Sequence, residues 1–533
     1  MKHNFLRSFL TVVTGSALLL GTSCKKLEDF GDTDVNPAGS IIPVTSALLT
    51  NAQIGVGGIV GGTGVRGGLF VQYFSETQYT DASLYSEPKI DFGGQYAGSM
   101  SDLYRIIKRN TDPETRIAHL VSGTNENQIA VSKILLAYSL WSVTDRWGDV
   151  PFSEAFQGIA NLTPAYDSQE ELYMQILTDL KDAVATFDNG GAEKNYVVGD
   201  IFYGGDPTKK LALPQQAHWK KLANTLRMLV SIRLSKVYPN AGGLAATEFA
   251  AAASDPAGFI SSNSDNLTIK YDGKDFKHPW FNLYDGRTDY AYSKTLSDLL
   301  NNMTDGRRAS YGGSGSSFPY GLERVDATTL PTNYAKVLAA AYQDKAASSV
   351  VVSAASSLLT VAEGIERGWI SSAGSFATAK AAYDAGITES FAQWGQSGAA
   401  SVIAGAGNYD GGTGGGSNLG ANTFNSVLNQ SAITVTKLER IFLQKYIADY
   451  PDGVQAWADW RRSCAPGMPS TRTDLAGMPN LAPTTYATNS GNGIPRRYVY
   501  GANESSTNPA SLAAAVSHLA IGNVAHDRVW WDK

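Results

Sequence analysis

The chain is expected to fold as a mostly α-helical body, on three observations. Apolar residues recur at three- and four-residue steps through several stretches of about 20 residues. Strand signals are few and short, as at 267–271 and 498–500. Glycine- and serine-rich stretches, clearest at 311–321 and 404–420, read as loops inserted in one helical body, because apolar periodicity resumes on both sides of each. Paired amphipathic helices in sequence order suggest an α-solenoid component. The W-x2-L-G pattern of tetratricopeptide repeats is absent.

The first element is a targeting segment. Lys2 and Arg7 form a positive start, and 9–21 is an apolar run too short to span a bilayer, which takes about 20 apolar residues. Gly21, Thr22 and Ser23 are small and lead into Cys24. That order resembles a bacterial lipobox, with Gly21 standing where Leu is usual. Residues 1–23 are therefore read as a lipoprotein signal peptide and Cys24 as the lipidation site. Acylation of Cys24 would leave Cys464 without a partner, so no disulfide is expected and Cys464 is read as a small buried residue. Residues 24–40 are polar, contain Asn36-Pro37, and should run extended as a leader. Residues 41–533 are expected to form a single helical domain.

The helices follow in order. Residues 124–146 place Ile134, Tyr138 and Trp141 on one face. Residues 168–187 open on Ser168-x-x-Glu171, a capping box, continue through Leu172, Ile176, Leu180 and Val184, and are expected to stop at 189–191. Residues 215–237 carry Trp219, Leu222, Leu226 and Val230. Further helices are expected at 293–303, 434–450, 453–462 and 509–520.

Composition excludes some functions. The formal net charge is −6, and without Lys2 and Arg7 the balance is 41 basic to 49 acidic residues. No basic stripe of the kind nucleic acid requires is visible, so no nucleic-acid partner is expected. No second run of 18 apolar residues occurs. There is no HExxH, GxxxxGK[ST] or GxSxG. The six histidines have no metal-ligand spacing, so neither a metal nor a cofactor is expected, and His218 and His518 are read as structural. Gly62-x-Gly64-x-x-Gly67, with Asp81 downstream, matches GxGxxG, but 53–60 reads as a glycine-broken strand and no βαβ alternation follows. These glycines are read as a tight turn or a close backbone approach. No catalytic residue stands out. An acid pair for glycan hydrolysis needs closeness only in space, and nothing in the sequence singles one out.

Five motifs, in four regions, change the reading: DFGDTDVNPAGS at 29–40, TDRWGDVPFSEA at 144–155, QKYIADYPDGVQAWADWRRSCAPGMP at 444–469, and GIPRRYVYGANE with HDRVWWDK at the end. As an ordered set they resemble the SusD/RagB family of outer-membrane nutrient-binding lipoproteins, in the SusD-like branch ending in WWD. The residues themselves read as structural first. Gly148 and Pro151 end a helix, and Arg461, Arg462, Arg496 and Arg497 fork onto carboxylates or carbonyls. The resemblance implies tetratricopeptide-like helix pairs with an irregular, loop-rich ligand-binding half. It also implies a lipid-anchored protein on the cell surface at the outer membrane, which captures oligosaccharides, or peptides in some branches, and passes them to a SusC-like TonB-dependent transporter. Glu28, Asp29 and Asp32 resemble an acidic surface-export signal.

For the ligand face, sugars need flat aromatic rings beside Asn, Asp, Gln or Arg. Stretches 72–87 and 278–292 meet both needs. Tyr79, Asp81, Tyr85, Trp280, Asn282, Tyr284, Arg287 and Asp289 are the expected ligand residues, drawn into one aromatic platform, with Trp394 as a further candidate. The competing reading makes Trp280, Phe281 and Tyr284 loop-packing core. Two other functions stay open: a lipid-anchored helical-repeat scaffold without a small ligand, and an exported glycan hydrolase.

Overall fold

The computed structural model describes residues 44–187, 196–204, 215–411, 436–463 and 493–533. The signal peptide, the leader, Cys24, Cys464, the stop at 189–191 and most of the glycine-rich stretch at 404–420 lie outside the described residues. The described residues from Thr45 onward form one compact unit.

The chain enters through α1 (Thr45–Gly58), a π-helical turn at Ile59–Thr63, and α2 (Val65–Phe70). The expected broken strand at 53–60 is therefore helix. Its glycines serve contact: a Cβ on Gly67 would lie 2.4 Å from the Gly453 carbonyl oxygen, so two backbones cross there with no room for a methyl group.

Then follow α3 (Ser101–Thr111), α4 (Asn125–Trp147), α5 (Gln169–Thr186), α6 (Gln215–Arg233) and α7 (Leu244–Ala253). Each packs on the next in sequence among α3 to α7, the pairwise stacking expected of a solenoid. Ser168 caps α5 in a full capping box with Glu171. Gly148, at φ +93°, ends α4.

The second half is more irregular. It contains α8 (Lys294–Asn302), α9 (Ala354–Glu366), α10 (Ala379–Gln393), α11 (Lys437–Ala448), α12 (Gly453–Ser463) and α13 (Pro509–Ser517). Two small antiparallel ribbons are all the sheet among the described residues. Strand β1 (Phe74–Glu76) pairs with β3 (Tyr290–Tyr292), and β2 (Leu267–Lys270) with β4 (Ser348–Val352). The expected strand at 498–500 is only a single bridge, Lys89 to Val499.

The arginine motifs hold these parts together. Arg461, fully buried, donates to the backbone oxygens of Asp145 (2.8 Å) and Arg496 (2.9 Å) and lies over Trp457. Arg496 forks onto Asp532 at 2.7 and 2.6 Å. Arg497 donates to the Trp147 carbonyl at 3.0 Å. Trp531 donates its indole N–H to Asp145 at 2.9 Å, 386 positions away in sequence. Asp149 accepts from the first backbone N–H of α5 at 2.8 Å and faces His518 at 2.6 Å.

Candidate functional site

The expected platform divides into three places. Tyr79 is exposed over 56 % of its surface, and Arg287 and Arg324 lie 5.6 and 5.1 Å from its ring centre. Asp289 holds Arg287 at 2.5 Å. The Thr77 N–H donates to the Asp289 carbonyl at 2.9 Å, so the pairing of β1 with β3 carries Tyr79 and Arg287 to the same end of that ribbon. Asp81 is exposed two residues further on, and Asn282 is exposed on the short helix Pro279–Leu283.

Tyr85 does not join them. It is completely buried, held at φ +59°, packed against Phe70 and Tyr320, and its hydroxyl accepts from Gln72 at 3.0 Å. Its expected place on an exposed platform is corrected by that burial: the ring fills core that a ligand cannot reach. Tyr284 is half-buried, with its hydroxyl donating to the Tyr290 carbonyl (3.0 Å) and accepting from the Val337 N–H (2.8 Å). Lys336 sits 4.8 Å from its ring centre.

Trp280 and Trp394 are also corrected as platform residues. They are 1 % and 5 % exposed, with Trp280 packed edge-on to Phe74 and Trp394 to Tyr311. Both instead line the buried part of a cavity of about 340 Å³.

Beside the ribbon lies a groove of about 770 Å³. Its walls come from α1, α2, β1, the segment 90–99 with its short helical turns at Gly93–Gln95 and Tyr96–Met100, the end of α4 and Tyr290. Of the five glycines that line it, a Cβ on Gly58, Gly62, Gly94 or Gly98 would meet nothing within 4 Å, while one on Gly55 would meet the Ser99 hydroxyl. The walls are therefore partly bare backbone facing open space, which lets a bulky ligand approach closely.

Its polar groups include Arg66, Glu76, Asp91, Gln95 and Arg146. The Arg66 Nη1 is buried and has no hydrogen-bond partner among the described residues. Burial pushes Glu76 up to about 7, against the pull of the Ser83 N–H and the Arg66 charge. Glu76 therefore sits between its neutral and charged forms near neutral pH, able to donate or accept. Gln95 is held by Arg146 at 2.8 Å. The sequence reading missed Arg66 and Glu76. A signal for Arg66 exists: it is the sole charged residue between Asp34 and Glu76.

Among the described residues, no group of three or more His, Cys, Asp or Glu side chains could hold a metal ion. No helix among them is long and apolar enough to cross a membrane.

Comparison with known proteins bears on this geometry. No curated protein sequence matches the chain significantly. Solved structures match over nearly the whole fold. A chitin-binding SusD homolog from Flavobacterium johnsoniae aligns with a TM-score of 0.68 at 24% identity, covering 92% of this chain and 97% of that one. A SusD homolog from Bacteroides uniformis gives 0.68 at 22% identity, covering 92% and 100%. A SusD-like protein from Bacteroides thetaiotaomicron gives 0.67 at 23%, covering 92% and 98%. At these identities the likeness establishes the fold. A family model described as "Starch-binding associating with outer membrane" matches residues 37–501, most of the sequence, and the chain therefore belongs to the SusD-like family.

Proposed function

We propose that this protein is a lipid-anchored, surface-exposed glycan-binding protein of the outer membrane, which captures oligosaccharides without cleaving them and delivers them to a SusC-like TonB-dependent transporter. The observation that carries the reading is the groove of about 770 Å³, with bare-backbone walls and the Arg66 and Glu76 side chains. The exposed Tyr79 lies three residues beyond Glu76. A sugar chain offers apolar C–H faces for a ring such as Tyr79 and hydroxyls for paired donors and acceptors. The description of the family and the chitin-binding relative point the same way. Cys24 would carry the lipid, which fits the small-residue run before it.

A second reading, peptide capture, is favoured by one observation. The unpartnered Nη1 of Arg66 suits a carboxylate, which peptides always offer.

Affinity electrophoresis of the full chain through gels containing soluble starch, glycol chitin, xylan or levan tests the proposal, with casein peptides as a separate arm. Retardation by at least one glycan, weakened roughly tenfold in both Tyr79→Ala and Gly62→Leu at unchanged melting temperature, is expected. Retardation by no glycan, or equal retardation of both variants and wild type, would overturn it. Binding of the peptides alone would establish the second reading instead.

A further inference from the structure

The exposed ring of Tyr79 lies between two fixed pieces of backbone. On one side β1 ends at Glu76, and Thr77 is fastened to the far strand's approach: its N–H donates to the Asp289 carbonyl at 2.9 Å and its hydroxyl to the Thr288 carbonyl at 2.5 Å. On the other side the chain turns at 80–86, where the N–H groups of Leu84, Tyr85 and Ser86 donate to the carbonyls of Thr80, Ala82 and Asp81.

A reciprocal pair of hydrogen bonds ties the strand end to the turn. The Ser83 N–H donates to the Glu76 carboxylate at 2.8 Å, and the Glu76 N–H donates to the Ser83 hydroxyl oxygen at 3.1 Å. The two residues are seven positions apart, and Tyr79 lies inside the loop they close. Ser83 is 1 % exposed and does not line the groove, so its half of the pair is out of a ligand's reach.

We infer that Glu76 is a positioning residue for the ligand face: its charged carboxylate draws Ser83 in and presents the Tyr79 ring beside the groove, and a proton on that carboxylate slackens the hold. The inference rests on the proposed reading of Tyr79 as a ligand ring, and adds control of that ring by protons.

The chemistry of the pair supports it. An N–H bonds to a carboxylate about twice as strongly as to a neutral oxygen, so the closed loop favours the charged form. The groups facing Glu76 are Arg66 from α2, Tyr290 from β3, and Tyr320. A guanidinium keeps its charge, and burial pushes both phenols up, so none of the three changes state near neutral pH. Glu76 itself does, because burial brings its carboxyl to about 7. The hold is therefore complete well above pH 7 and weakens as pH falls through it.

The test is calorimetric titration of the full chain, at pH 8.5 and pH 6, with whichever of starch, glycol chitin, xylan or levan retards it. Wild-type affinity should fall roughly three- to tenfold between the two. Glu76→Gln, nearly isosteric and neutral, should bind like the acidic wild type at both pH values. In Tyr79→Ala neither the pH change nor added Glu76→Gln should weaken the residual binding further, because Glu76 acts through that ring. A second readout needs no ligand: hydrogen–deuterium exchange of segment 77–84, corrected for the intrinsic effect of pH. Exchange should quicken in the wild type at pH 6, and in Glu76→Gln at both values.

A pH response that survives in Glu76→Gln, additive losses in the double variant, or exchange that neither change alters would overturn the inference. Binding of no glycan at either pH would overturn the glycan reading instead, and the exchange measurement would still decide whether Glu76 holds the loop.

Discussion

Glu363→Gln should destabilise this protein more than any ordinary surface change. Glu363 sits on α9 with no exposed area and is the meeting point of three cations. Lys445 of α11 lies 2.7 Å from Oε2, Arg462 of α12 reaches both oxygens, with Nη2 to Oε2 at 2.9 Å, and Arg367 lies 2.8 Å from Oε1. Gln is nearly isosteric but neutral. After the change Arg462, Lys445 and Arg233 would share Asp459, which stands 3.2, 3.7 and 2.7 Å from them. Breaking a buried pair from one side costs about 3–5 kcal/mol, because the partners keep their desolvation penalty and lose their counter-charge.

Burial alone would raise the Glu363 pKa, but the charges of Arg462, Lys445 and Arg367 overcome it and hold it well below the ordinary 4.5. A depressed folded-state pKa contributes stability that is present above 4.5 and lost as pH falls towards the folded value. The gap between wild type and variant should therefore be full at pH 7 and narrower near pH 3. Urea denaturation followed by circular dichroism at both pH values reads it. A gap under about 1 kcal/mol at pH 7, or one that widens on acidification, would refute the reasoning.

Three further outcomes are expected. Gly67→Ala should cost about 1–3 kcal/mol in urea denaturation, since its Cβ would meet the Gly453 backbone at 2.4 Å, whereas Gly58→Ala, with open space around it, should gain about 0.4–1 kcal/mol. Asp449→Asn should raise stability above pH 8 by on the order of 2–5 kcal/mol and do little below pH 4. The folded Asp449 holds its proton up to about 8 against 3.8 unfolded, so wild-type stability falls as pH rises across that window. Thermal melts from pH 4 to pH 9 read the crossover. Cys24→Ala should shift the protein from the outer-membrane fraction to the soluble one, or stall its precursor, and co-fractionation with wild type would remove the lipid anchor.

The parts of this molecule that sequence reveals are those where one periodicity or one motif has one physical meaning. Helices α4, α5, α6, α11 and α12 were legible because their buried stripes recur every three or four residues. The arginine motifs were legible as clamps, since guanidinium forks in aromatic company seek carboxylates and carbonyls. Helices α1 and α2 were not, because Gly55, Gly57 and Gly58 in α1 and Gly67 and Gly68 in α2 erase the apolar stripe that would mark them. Their glycines answer to tertiary demands instead: the crossing at Gly453 and the bare groove wall.

The same limit governs the aromatics. Tyr79, Tyr85 and Trp280 look alike as ring-bearing residues among polar neighbours, yet one is exposed and two are buried. Which way a ring faces depends on partners such as Phe74 and Tyr320, which no local window contains. Arg66 and Glu76 come together only once α2 and β1 are folded side by side.

The Trp531 contact with Asp145 has a consequence in time. A chain made at about 5–20 residues per second exposes α4 roughly 20–80 s before Trp531 exists to complete the pocket around Asp145, 386 positions earlier. Through that interval a buried-to-be carboxylate and its apolar surroundings wait unpaired. Long-range closure of this kind is slow and leaves apolar surface open to wrong partners. Under the proposed export, such a delay would be an advantage: the core cannot lock early, so the chain stays threadable until nearly all of it has been synthesised.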